Sequence, residues 1–142
     1  MRRAGLLCLV ALAGCGGDEG GDRDAYVASG DAICRDYEAA IGKLDQPAQL
    51  GDIGPYIAEA LPVLERTAGR IEALDPPGDL RDEFEAFREA ARQTVARAEA
   101  LRAAAEAGDS GEVERLLDEA GKASERRVEL ARAAGLDACA DI

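Results

Sequence analysis

Apolar positions recur along this chain at spacings of three, four and seven residues, the pattern of a single buried helix face. From about Asp24 to Leu44, that face carries Tyr26, Ile33, Tyr37, Ile41 and Leu44. A second helix is predicted from about Asp52 to Leu74, with Ile57, Leu61, Leu64, Ala68 and Ile71 aligned. A third, from about Asp79 to Ala107, aligns Leu80, Phe84, Phe87, Ala91, Val95, Ala98 and Leu101. A fourth, from about Ser110 to Ala134, turns Val113, Leu116, Leu117, Ala120, Val128 and Ala131 inward. No stretch sustains the two-residue alternation of a strand.

Helix breakers fall between these segments. Pro47 and Gly51 bracket the first link, and Pro76-Pro77-Gly78 forms the second. A residue before proline is pushed out of helical geometry, which ends the second helix before Pro76. Asp79 is then placed to cap the third helix, and Asp109 or Ser110 to cap the fourth. Gly135 supplies the left-handed residue that closes a helix, with Leu136 packing back against it. Pro62 lies inside the second helix, where a proline normally kinks the backbone. The apolar pattern continues through it, so a curved helix is expected. Acid-to-base pairs three residues apart support the exposed faces: Glu85–Arg88, Glu89–Arg92, Glu99–Arg102, Glu112–Arg115, Glu119–Lys122 and Glu129–Arg132. Each contributes about 0.2–0.5 kcal/mol to its own helix.

Short links between long helices make neighbours antiparallel, so the expected architecture is all-α: an up-down-up-down four-helix bundle over residues 24–142. In that topology the start of the first helix and the end of the fourth share one end of the bundle. Cys34 and the tail bearing Cys139 therefore meet, and a disulfide between them is expected. Closing a loop of that length contributes about 4–5 kcal/mol in chain-entropy models. The bridge compensates for a lean core, since aromatics are 4% of the chain and there is no Trp.

The residues before the first helix read differently. Arg2 and Arg3 precede an apolar run from Leu6 to Leu12, too short to cross a bilayer and typical of a signal peptide. Leu12-Ala13-Gly14-Cys15 resembles the lipobox of bacterial lipoproteins. The resemblance implies cleavage before Cys15, which makes residues 1–14 the leader, and a diacylglyceryl group on the Cys15 sulfur. Ala11-Leu12-Ala13 also fits a site for release as a secreted protein. That route leaves Cys15, Cys34 and Cys139 as an odd set of three thiols, whereas lipidation of Cys15 leaves one even pair. Two acyl chains anchor a protein stably. The expected location is the outer face of the bacterial cytoplasmic membrane, reached through a flexible glycine-rich, acidic tether over residues 15–23.

Charge narrows the partners. The whole chain carries 17 basic and 29 acidic residues, and removal of the leader takes only two arginines, leaving a net charge of −14. Phosphate backbones are bound by clustered Lys and Arg, so nucleic acid is not an expected partner. The same charge opposes adhesion to anionic headgroups, which leaves the lipid on Cys15 as the membrane contact.

The residue inventory is poor in chemistry. There is no histidine, the commonest general base and metal ligand. Ferritin-like di-iron sites need Glu-x-x-His pairs, and Met1 is the single methionine. Asp31, Asp36 and Glu38 cluster on the first helix, but no segment has the spacing of a calcium loop. No catalytic residue, cofactor site or metal site is expected. Tyr26 and Tyr37 lie eleven residues apart, three turns along one face. With Phe84 they form the candidate lining of a groove for a small apolar ligand.

Ala32-Ile33-Cys34, Asp75-Pro76-Pro77 and Gly135-Leu136-Asp137-Ala138-Cys139-Ala140 together resemble a set of small actinobacterial secreted proteins and lipoproteins. These carry an early "IC", a central "L-x-P-P" and a final "GL-x-x-C". The resemblance supports the bundle and its disulfide and implies no activity. The expectation is a non-enzymatic, lipid-anchored envelope module that binds an envelope protein through a helix face. Capture of a small apolar ligand between the helices is the alternative.

Overall fold

Two glycines set where the long helices stop. Gly108 and Gly135 have φ of 70° and 73°, a region closed to most side chains. After each, the chain closes a paired hydrogen-bond motif. Gly135 N donates to Arg132 O at 3.0 Å and Leu136 N to Ala131 O at 2.9 Å. Gly108 N donates to Ala105 O at 3.1 Å and Asp109 N to Ala104 O at 3.1 Å. These bonds satisfy carbonyls that a helix end otherwise leaves open.

The computed structural model describes residues 19–142. The leader, the lipobox and Cys15 lie outside the described residues. The elements are α1 (Glu19–Ile41), α2 (Ile53–Glu72), α3 (Arg81–Glu106), α4 (Ser110–Ala133) and α5 (Asp137–Ala140). Single 3-10 turns at Leu50–Asp52 and Gly78–Leu80 lead into α2 and α3. Among the described residues there is no strand, and no helix is long and apolar enough to cross a membrane.

The four long helices form an up-down-up-down bundle. Arg23 near the start of α1 pairs with Asp79 before α3, and the Tyr26 hydroxyl donates to Ala134 O past the end of α4 at 3.0 Å. The start of α1, the entry to α3 and the exit of α4 thus share one end. Cys34 on α1 and Cys139 on α5 are joined in a disulfide, with Cα atoms 5.1 Å apart.

Two clusters make up the core. At the disulfide end, Tyr26, Ile33, Ile71, Phe84, Phe87 and Leu136 pack together, and Phe84 and Leu136 are wholly buried. At the opposite end, Ile53, Leu101, Ala104, Val113 and Leu116 pack together. That second cluster draws on α2, α3 and α4 alone.

Several boundaries differ from the sequence expectation. Helix α1 begins at Glu19, so residues 19–23 of the expected tether are helical. Asp22 and Asp24 then lie in the early turns, where carboxylates interact favourably with the helix dipole. Asp79 does not cap α3; it sits in the preceding 3-10 turn and pairs with Arg23. Asp109 does cap α4, accepting from Glu112 N at 3.0 Å. Helix α2 runs unbroken through Pro62, which is exposed. Ala58, whose carbonyl has no proline N–H to accept from, is itself exposed. Of the expected surface pairs, Glu85–Arg88, Glu89–Arg92 and Glu112–Arg115 form. Arg102 pairs with Glu106 instead, and Lys122 with Asp118.

Candidate functional site

The short helix α5 is the feature that shapes the interior. It inserts between α1 and α4 and touches both, while those two helices meet chiefly through it. Three residues hold it: Cys34 through the disulfide, Asp31, whose carboxylate accepts from Ala138 N at 3.3 Å, and Arg127 on α4. The Arg127 guanidinium donates to Cys139 O at 3.1 Å and to Ile142 O at 2.7 Å. Beyond α5, nothing of that kind fills the gap between α1 and α4.

A groove of about 210 Å³ opens there, between the two core clusters. Helix α1 contributes Tyr37 and Ile41, and α2 contributes Tyr56, Ile57, Ala60 and Leu64. From α3 come Thr94, Arg97, Ala98 and Leu101. Small residues on α4, Ala120, Ala123 and Ser124, leave the space that larger side chains would fill. A further pocket of about 50 Å³ adjoins it and shares Tyr37, Leu64, Thr94 and Arg127.

The walls are mostly hydrocarbon, and a few polar groups converge on them. Burial pushes the Tyr37 phenol above its ordinary value, with the nearby Arg127 guanidinium pulling the other way and Tyr56 adding to the rise. Burial also lowers the Arg127 guanidinium, because a cation is disfavoured where water is scarce. Arg97 donates to the Gln93 side chain at 3.2 Å. No Asp or Glu lines either pocket.

The three residues expected to line one groove separate. Tyr26 and Phe84 belong to the core: their rings meet edge to face at 5.6 Å, with relative exposures of 3% and 0%. Burial pushes the Tyr26 phenol up to about 12. Tyr37 alone of the three borders the groove. Sequence reasoning missed Arg97, Arg127 and Thr94, which lie on the aligned faces of their helices among alanines. That neighbourhood was the available signal, since an arginine surrounded by inward alanines has room to turn inward. Of the acids singled out on α1, Asp31 accepts from the α5 backbone and Asp36 pairs with Arg70 at 2.8 Å.

A larger cleft of about 420 Å³ lies at the opposite end, between the Leu50–Asp52 turn and the corner joining α3 to α4. It is wide open, and Glu106 is the single charged residue lining it. Leu50 at its rim is the one exposed large apolar side chain among the described residues. Among the described residues there is also no cluster of three groups able to hold a metal ion.

The chain matches no protein-family model, and no curated protein or solved structure is significantly similar to it.

Proposed function

We propose that this chain is a non-enzymatic binding module, held by lipid on Cys15 at the outer face of the bacterial cytoplasmic membrane, that takes a small apolar ligand between its helices. The observation that carries the ligand reading is the groove between α1 and α4: mostly hydrocarbon walls with a few convergent polar groups, the usual make-up of a small-molecule site. Its volume of about 210 Å³ corresponds to roughly seven waters at ~30 Å³ each. That suits a ligand smaller than a typical drug and excludes a whole diacyl lipid.

Docking of an envelope protein through a helix face, the other expectation, has less support. Among the described residues a single exposed large apolar residue, Leu50, offers no buried anchor of the kind that interfaces centre on. The outer helix faces carry ion pairs that already satisfy one another.

Two experiments test the proposal. Cys15→Ala is expected to move the protein from the membrane fraction to the medium and to abolish labelling by a palmitate analogue; unchanged membrane retention would refute the anchor. Ligand capture is tested by NMR titration of the whole chain with octanol. Shifts confined to Ile41, Ile57, Ala120 and their neighbours are expected, and a spectrum unchanged to the solubility limit would refute the groove as a site.

A further inference from the structure

The groove and the smaller pocket beside it form two chambers of one site. Tyr37, Leu64, Thr94 and Arg127 border both and make the neck between them. Behind the neck lie Ala68, Ile71, Phe87, Ala91 and Ile142. The polar groups of this inner chamber are largely engaged. Thr67 Oγ1 donates to Val63 O at 2.8 Å and Thr94 Oγ1 to Ala90 O at 2.9 Å, and Arg127 donates to Cys139 O and Ile142 O. Tyr56, Arg97 and Ser124 border the outer groove and not the inner chamber. The site therefore has a polar outer end and an apolar inner one. The inner volume of about 50 Å³ is well below the ~150 Å³ of a cavity that holds benzene, so it takes the end of a chain and not a ring. Of the described residues lining it, Ile142 alone stands outside a long helix. Ile142 is half-buried against the disulfide-end cluster, and its place is set by the Arg127 guanidinium at 2.7 Å and by the disulfide at Cys139 just before it.

We infer that the ligand of this site is a single unbranched apolar chain with a polar end group, and that Ile142 sets the length of chain accepted. The chain end passes between Tyr37, Leu64, Thr94 and Arg127 into the inner chamber and stops against Ile142. The polar end stays in the outer groove with Tyr56 and Arg97. The inference rests on the proposal that the groove binds a ligand, and it adds the shape of that ligand and the residue that limits it.

The test measures binding of the straight-chain 1-alcohols from butanol to decanol by NMR titration of the whole chain. Each added methylene is expected to tighten binding about fourfold while the chain end is still entering, and the gain to stop once it meets Ile142. Ile142→Ala is expected to move that break to longer alcohols, so that the first alcohol beyond the wild-type break binds about fourfold tighter to the variant. Thr67→Leu, which fills the inner chamber from α2, is expected to move the break to shorter alcohols. Shifts in opposite directions cannot come from a loss of fold common to both variants. An octanol isomer ending in a tert-butyl group is expected to bind roughly tenfold more weakly than 1-octanol, because its end cannot pass the neck. A break that stays in place in both variants, or isomers that bind equally, would overturn the inner chamber as the seat of the chain end and leave the apolar-ligand proposal standing. A break that moves in Thr67→Leu alone would overturn Ile142 as the limit. No binding of any alcohol would overturn the ligand proposal and this inference together.

Discussion

Gly30 and Gly69 both lie inside helices, and alanine has opposite consequences at the two. At Gly30 a Cβ would overlap Cδ2 of Leu136, whose side chain is wholly buried. Gly30→Ala is therefore expected to lower stability by about 1–3 kcal/mol, the usual cost of overpacking. At Gly69 nothing lies within 4 Å of the added atom, so Gly69→Ala is expected to raise stability by about 0.4–1 kcal/mol by restricting the unfolded chain. Urea unfolding of both variants checks the pair, and effects of the same sign would refute the close approach. Tyr26 supplies a pH dependence. Its folded-state phenol is raised from 10.0 to about 12, so the folded state holds the proton where the unfolded chain has begun to lose it. Its contribution is complete below pH 10 and declines as the pH rises from there to about 12. Stability is expected to fall over that window, and Tyr26→Phe to flatten the fall while losing the bond to Ala134. Denaturation midpoints measured across that range decide it; an equally steep fall in the variant would point to other groups.

Among the elements, α5 has an influence out of proportion to its four residues. No apolar periodicity announces so short a helix, and the sequence pattern read its residues as a tail. Its bonds to α1 and α4 make it a wedge that holds the bundle closed at one end and leaves the groove open below. The disulfide is the strongest of those bonds. Reduction is expected to cost about 4–5 kcal/mol for a loop of this size, with Cys34 and Cys139 separated by 105 positions. The sulfurs belong to residues exposed by 2% and 0%, so reductant is expected to reach them only as the tail opens. Denaturant midpoints of the oxidised and reduced chain, with thiol counting in native buffer, check both statements. Equal midpoints would mean that α5 is held by packing alone.

At the scale of the whole molecule, net charge and fold pull against each other. The acidic excess repels itself in the compact state, whereas the pairs on the helix faces attract over short distances. The exposed pairs are individually worth little, so the excess is expected to dominate. Raising ionic strength from about 0.01 to 0.15 M shortens the screening length from ~30 to ~8 Å and is expected to raise Tm. A Tm that falls with salt would mean that the pair network outweighs the repulsion.

The helices, their links and the pairing of Cys34 with Cys139 follow from local pattern, because burial of one face repeats every three or four residues and glycine and proline mark where it stops. The start of α1 escaped that reading, since Gly20 and Gly21 argue against helix while the segment ahead of Tyr26 is carried into it. The groove was only partly visible. Tyr37 could be named from its place on a face, but Tyr26 and Phe84 lie on faces of the same kind and pack into the core. Periodicity states which side of a helix is turned inward and not what stands opposite. The depth at which α1 ends, the wedge of α5 and the gathering of Arg97 and Arg127 around one gap depend on contacts between residues distant in sequence, and tertiary packing alone decides them.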